Sequence, residues 1–180
     1  GKTVVKPAAA AATHVALLRG INVGRAKRIA MADLRGLVEG LGYRGVRTLL
    51  NSGNVVFTAP GVDAAAAASR IEKAMDRELA VKARVTVLTA KALLDAVRQS
   101  PLGDVADNPS RTFVAVLADP ADRKRLLAVQ KENWTPEVVA LGSRVAYLWC
   151  PRGALDSPLF TAVARLLKDA VTTRNWTTMT

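Results

Sequence analysis

The chain has little of what disulfide-bonded or metal-dependent proteins use, because its 180 residues include one cysteine and one histidine. Cys150 cannot form an internal disulfide, and a lone thiol is typical of proteins in the reducing cytosol. A Ser-His-Asp triad or a multi-histidine metal site would depend on His14 alone, which we place at a surface or edge position. We therefore expect a cytoplasmic protein with no metal site, no cofactor and no recognisable catalytic group.

Long hydrophobic runs are also absent, so we expect no membrane partner. The alanine run Ala8–Ala12 is too short and too weakly apolar for a signal sequence. Neither the Gly-Lys-Ser/Thr ending of a Walker A loop nor the G-x-G-x-x-G dinucleotide fingerprint is present. Residues 1–12 are expected to be a disordered tail or a remnant of the expression vector.

Acidic residues are scarce, with 15 Asp and Glu against 26 Lys and Arg, a formal net charge of +11. The excess of positive charge is concentrated in the first third of the sequence. Thr13–Phe57 carries seven basic and two acidic residues, whereas residues 58–110 carry seven of each. Such a balance favours polyanions, including nucleic acids, as partners, but it specifies neither a fold nor a ligand.

Hydrophobic periodicity predicts an α+β fold made of two ferredoxin-like (βαββαβ) halves in one compact chain, each with an antiparallel sheet. The predicted organisation is a first half at 13–88, a connecting helix and loop at 89–111, and a second half at 112–180. The strands are expected near 14–18, 46–50, 55–57, 84–88, 112–117, 138–141, 144–149 and 171–173. The helices are expected near 31–41, 63–79, 89–100, after Asp119 and at 156–168.

A Gly/Arg loop follows the first strand, and we define it as residues 19–28. Gly20 and Gly24 permit backbone conformations that let N–H groups converge on an anion. Asn22 adds one amide side chain. The fixed positive charges are those of Arg19, Arg25, Lys27 and Arg28.

The two halves differ in length at this loop. Val15 and Val114 in the first strands are 99 residues apart, whereas Val55 and Val145 in the third strands are 90 apart. The first half therefore carries about nine extra residues before its hairpin, at the position of the Gly/Arg loop. Because the shorter half closes without it, this insertion is better explained by function than by folding.

The topology also predicts a neighbour for the loop. Strands one and three of a ferredoxin-like unit are antiparallel partners, so the end of one meets the start of the other. This brings the turn residues Asn51, Ser52, Gly53 and Asn54 beside the loop, where they would supply directional hydrogen bonds. The alternative is that an Asn/Gly turn serves the hairpin alone.

A third candidate segment for the binding site, beside the Gly/Arg loop and the hairpin turn, is Arg174-Asn175-Trp176. Arg174 would reach an anion, Asn175 would cap a last helical turn, and Trp176 would stack on a planar ligand. The alternative is that Trp176 anchors the end of the chain to the core and Asn175 acts only as a cap.

Four separated segments, 15–24, 31–35, 51–57 and 172–176, together resemble the bacterial domain of unknown function 1697 family. They read VALLRGINVG, MADLR, NSGNVVF and TTRNW, in the family's order and over nearly the whole chain. The resemblance implies a two-part α+β bacterial protein without an assigned biochemical activity.

The residues favour binding of a small phosphate- or carboxylate-bearing ligand at the Gly/Arg loop and the hairpin turn. One alternative is sequence-nonspecific binding of nucleic acid through the basic surface; however, strand one has no aromatic residue, and Tyr147 and Trp149 are better explained as core. The other is a scaffold whose sheet pairs with a second copy in a homodimer.

Overall fold

The computed structural model describes residues 12–22, 28–49 and 53–179. Within these ranges the chain forms two four-stranded antiparallel sheets with helices, an α+β fold. It divides into two compact units between Leu93 and Leu94. The predicted tail lies outside the described residues, apart from Ala12, which begins the first strand. The predicted boundaries at 88/89 and 111/112 stay predictions.

Up to Thr89, the described residues of the first unit form four strands and two helices. In chain order they are β1 (Ala12–Leu18), α1 (Met31–Gly40), β2 (Arg44–Leu49), β3 (Asn54–Ala59), α2 (Ala64–Leu79) and β4 (Val85–Thr89). The strands lie in the order β2-β3-β1-β4. β1 is therefore central, with antiparallel neighbours on both sides.

The helices of this unit form where apolar residues recur at helical spacing. α1 buries Leu34, Leu37 and Val38, which lie three and four residues apart on one face. α2 begins after Asp63, whose side chain accepts a hydrogen bond from the Ala66 N–H at 3.1 Å, and ends at Ala80 in a left-handed conformation. Both helices contribute to one core with the strand residues Leu18, Val55 and Phe57.

His14 is buried in this core, so the prediction of a surface or edge position is wrong. Its side chain is 3% exposed, its Nδ1 lies 2.9 Å from the Ala12 carbonyl oxygen, and its ring stacks on Phe57 with centroids 5.6 Å apart. The reason is that residues 14, 16 and 18 of β1 alternate onto one face of a central strand, where Ala16 and Leu18 belong to the core.

α3 (Ala90–Arg98) spans the boundary between the units, and Thr89 accepts a hydrogen bond from the Ala92 N–H near its start. The second unit then contains β5 (Thr112–Leu117), α4 (Leu127–Lys131), β6 (Val138–Leu141), β7 (Val145–Trp149), α5 (Pro158–Leu167), β8 (Val171–Asn175) and α6 (Trp176–Met179). Its strand order is β6-β7-β5-β8.

The segment after Asp119 differs from the predicted helix. It is a 3-10 helix over Pro120–Leu126 that leads into the short α4. Leu126 is its buried residue, while the Arg123 Nε and the Arg125 guanidinium donate to the carbonyls of Gly142 and Leu166. The segment is therefore held by hydrogen bonds to other elements, whereas a regular helix would be held by a long apolar stripe.

The described part of the chain includes no helix that is both long enough and apolar enough to span a membrane.

Candidate functional site

The pairing of β1 with β3 brings the described ends of the Gly/Arg loop and of the hairpin turn together. Leu17 is paired with Asn54, and the Leu18 N–H donates to the Gly53 carbonyl at 2.9 Å. The chain therefore leaves β1 at the point where it enters β3. This is the adjacency that the strand order predicts for these residues.

Gly53 allows the two segments to lie in close contact because it has no side chain. Its φ is +81°, and a Cβ built on it would lie 2.9 Å from Leu18 Cβ and from both Cγ1 and Cδ1 of Ile21. Contacts this short require glycine, and the positive φ independently favours it. Because Ile21 is 2% exposed and belongs to the core, the first turn of the loop is packed on the protein body.

Asn22 closes the base of the loop with its amide group. Its Oδ1 accepts the Ile29 N–H at 2.8 Å, and its Nδ2 donates to the Ile29 carbonyl at 3.1 Å. Its backbone is left-handed, with φ of 54°, a conformation that asparagine tolerates better than most residues. The two ends of the loop are therefore tied together by one side chain.

Asn54 performs a similar task in the hairpin. It is 4% exposed, and its Nδ2 donates to the Leu49 carbonyl at 3.0 Å, across the turn between β2 and β3. Both described asparagines thus bond to backbone groups of their own segments. Their amides position the two loops, and the prediction that they orient a ligand stays a prediction.

Three described arginines lie at or next to the strand ends and the loop on this side of the sheet. Arg19 is half-buried, and its N–H donates to the Arg84 carbonyl at 2.9 Å. Arg28 is exposed and makes no hydrogen bond or ion pair with the residues that the structure describes. Arg84 is exposed, and its Nε is 3.7 Å from Glu72 Oε1. Sequence reasoning missed Arg84, although its place at the start of β4, antiparallel to β1, could have indicated it.

The remaining loop and turn residues predicted for the site lie outside the described residues. They are Gly24, Arg25, Lys27, Asn51 and Ser52. Gly20, in contrast, is described; it is exposed and has a positive φ of 68° with open space around its Cα.

Arg174 belongs to the second unit, on β8, opposite Val114 of β5. Its guanidinium donates to the Thr173 carbonyl at 3.0 Å, and burial lowers its pKa to about 10. The group is still a cation at neutral pH. Asn175 caps α6 by accepting the Thr178 N–H at 3.0 Å, and Trp176 is half-buried. The cap agrees with the structural interpretation of Asn175.

The lone cysteine is not placed for nucleophilic chemistry. Cys150 is fully buried with its Sγ 3.3 Å from Ser157 Oγ, and burial raises the pKa of its thiol to about 11. Among the residues that the structure describes, no three His, Cys, Asp or Glu side chains are grouped as metal ligands.

The aromatic residues of β7 are not displayed on an open sheet. Tyr147 and Trp149 are 2% and 8% exposed, and the Tyr147 hydroxyl donates to the Ala96 carbonyl at 2.5 Å. Bases cannot stack on rings buried in this way, so the aromatic platform of ferredoxin-like RNA-binding domains has no counterpart in β7.

A comparison with solved structures supports this architecture. The structure is similar to that of a conserved bacterial protein, SP0830, from Streptococcus pneumoniae, with a TM-score of 0.73. The two chains are 21% identical, and the match covers 94% of this chain and 96% of that one. A search of curated proteins gave no match. The model of a family described as a protein of unknown function (DUF1697) matches residues 11–147, which is most of the sequence. The chain therefore belongs to the DUF1697 family.

Proposed function

We propose that this is a cytoplasmic protein that binds a small anionic ligand, bearing a phosphate or a carboxylate, at the Gly/Arg loop and the adjoining hairpin turn. The observation that carries the proposal is the contact between the two segments, through the Leu18–Gly53 hydrogen bond and the packing of Gly53 against Ile21. A joint site needs this contact, and two unrelated loops would not require it.

The roles differ from residue to residue. Arg19 and Arg28 supply charge, together with Arg25 and Lys27 from the same loop. Asn22 and Asn54 hold the loops in position through the backbone of Ile29 and Leu49. A loop fixed at its base loses less conformational entropy when a ligand binds, and this favours affinity.

Each unit is proposed to be a ferredoxin-like half, and the two halves to be an internal repeat. Both sheets have the same strand order relative to chain order. The last strands, β4 and β8, each carry threonine as their second residue, and the hydroxyls of Thr86 and Thr172 are buried without a hydrogen-bond partner among the described residues. Between β5 and the following 3-10 helix stand only Ala118 and Asp119, whereas residues 19–30 separate β1 from α1.

The experiment is a thermal-shift screen of the full chain against nucleotides, sugar phosphates and acyl-CoA esters. A ligand that binds the native state raises the midpoint of thermal unfolding. We expect Arg19→Ala and Arg28→Ala to weaken the ligand found by about tenfold or more each, since a hydrogen bond to a charged group contributes about 1.5–3 kcal/mol. Affinities are then measured by calorimetry.

The matched control is Arg44→Ala. Arg44 is an exposed arginine of the same unit, paired with Thr58 at the far end of the β2–β3 hairpin from Leu49 and Asn54. Its replacement removes one positive charge without touching the loop. Equal ligand affinities in all three variants and the wild type would exclude the proposed site.

A further inference from the structure

A cleft lies within the second unit, and every residue that lines it is described. It has a volume of about 430 Å³ and lies between the turn at 133–137, the segment after β7 and the start of α5. Sites for small molecules typically enclose about 300–1,000 Å³. The cleft therefore has the size for one small organic molecule.

Local hydrogen bonds fix the first wall. The Trp134 indole Nε1 donates to the Val129 carbonyl at 2.7 Å, and the Glu137 N–H donates to the Trp134 carbonyl at 2.8 Å. Asn133 Oδ1 accepts the N–H of Thr135 at 3.1 Å. Trp134, a half-buried residue that lines the cleft, is thus held by its indole N–H and by the turn around it.

Glu137 connects two of the segments that line the cleft. Its Oε1 accepts the Leu159 N–H at 3.1 Å, and its Oε2 accepts the hydroxyl of Ser157, which is itself buried and accepts the Phe160 N–H at 2.9 Å. These bonds join the 133–137 turn to the first turn of α5. Since both carboxylate oxygens already have donors inside the protein, Glu137 shapes the cleft and is not needed for a ligand.

Two other charged residues at the cleft have no such partners. Arg152 and Asp156 are exposed, and neither makes a hydrogen bond or an ion pair with any residue in the described ranges. They carry opposite signs and share a cleft that is also lined by Trp134, which packs partly on the core, and by the prolines Pro136, Pro151 and Pro158. An unpaired cation, an unpaired anion and an apolar wall are complementary to a molecule that carries an anionic group, a cationic group and an apolar group.

We propose that this cleft binds a small zwitterion, a free α-amino acid with an apolar or aromatic side chain. Its carboxylate pairs with Arg152, its ammonium pairs with Asp156, and its side chain packs on Trp134 and the prolines. Arginine suits a carboxylate because its guanidinium can donate two parallel hydrogen bonds. The site is independent of the Gly/Arg loop, which lies in the other unit.

The test is calorimetric titration of the full chain with L-leucine, L-phenylalanine and L-tryptophan. Each is compared with its N-acetyl derivative, which lacks the ammonium, and with its amide, which lacks the carboxylate. We expect at least one free amino acid to bind about tenfold or more tightly than either derivative. Absence of binding by all three amino acids, or equal binding of the derivatives, would overturn the proposal.

Two variants assign the charges. Arg152→Gln should bind the amide as well as the free amino acid, and Asp156→Asn should bind the N-acetyl form as well as the free amino acid. The matched controls are Arg165→Gln and Asp169→Asn, which remove exposed charges of the same unit away from the cleft. Each control should keep the wild-type preference, and a control that loses it as the cleft variants do would exclude the assignment.

Discussion

Asparagine side chains in loops have two uses that sequence alone does not separate, and Asn22 illustrates the difference. Its residue type, next to glycines and arginines, predicts a polar group available to a ligand. In the structure both of its polar atoms contact the Ile29 backbone. The partner is seven residues away, and its distance in space depends on the path of the whole loop, which no local pattern encodes.

The Asn22–Ile29 clamp, which consists of the two hydrogen bonds between the Asn22 amide group and the Ile29 backbone, predicts slow exchange of one backbone amide. The Ile29 N–H bonds to the Asn22 side chain and is buried with its residue, so it should exchange slowly with solvent. We expect Asn22→Gly, which still permits the positive φ, to increase the exchange rate at Ile29 by at least about fivefold, for a bond worth about 1 kcal/mol or more. Hydrogen exchange followed by NMR measures this rate. An unchanged Ile29 rate would mean that the clamp does not persist in solution.

Gly53→Ala should destabilise the protein more than an ordinary substitution of a glycine at positive φ. The new Cβ would lie 2.9 Å from Leu18 and Ile21 atoms, and its φ of +81° is strained for alanine. We expect a loss of about 2–4 kcal/mol in the free energy of unfolding. Gly61→Ala is the control, because φ there is +62° but nothing lies within 4 Å, and it should cost about 1 kcal/mol. Urea denaturation compares the two, and equal losses would contradict the close packing.

Cys150 predicts a pH effect on stability. Burial raises the pKa of its thiol from the ordinary value of 9.0 to about 11, so the folded state retains this proton between those values while the unfolded state releases it. Stability contributed by this residue is therefore full below pH 9 and declines as the pH rises toward 11. The difference in unfolding free energy between the wild type and Cys150→Ala should shrink over this window. A constant difference would contradict the raised pKa.

At the scale of elements, hydrophobic spacing and capping residues predicted most of the helices and strands that the structure contains. Asp63, Thr89 and Ser157 stand at the starts of α2, α3 and α5, as their side-chain chemistry indicates. The pattern was less informative after Asp119, where arginine side chains bond to distant carbonyls, and at His14, whose burial follows from the central position of β1. Both depend on tertiary neighbours.

The start of α2 provides a test of capping at this scale. Asp63 accepts the Ala66 N–H ahead of an alanine-rich first turn. We expect Asp63→Ala to lower the free energy of unfolding by about 1 kcal/mol. Asp63→Asn, which keeps an oxygen acceptor, should restore most of it. Thermal and urea unfolding measure both variants, and equal stability of the two would show that the cap contributes little.

For the whole molecule, the formal charge of +11 predicts a general attraction to polyanions that is separate from a specific site. We expect weak binding of a DNA duplex at low salt that falls steeply as NaCl is raised, because binding releases counterions. Fluorescence anisotropy at several salt concentrations measures it. Arg28→Ala should reduce this affinity no more than Arg44→Ala does, since each removes one exposed charge. Affinity that is insensitive to salt would instead indicate direct recognition of nucleic acid.

The Asn22–Ile29 clamp has a consequence for how this family can vary. Because one amide joins the two ends of the loop, the segment between them can change in length and composition while the strand before it and the helix after it keep their places. Under the proposed function, the scaffold is thus separate from the segment that determines ligand preference. Exchange of residues 23–28 between relatives that keep an asparagine at this position should transfer ligand preference while leaving the unfolding midpoint nearly unchanged.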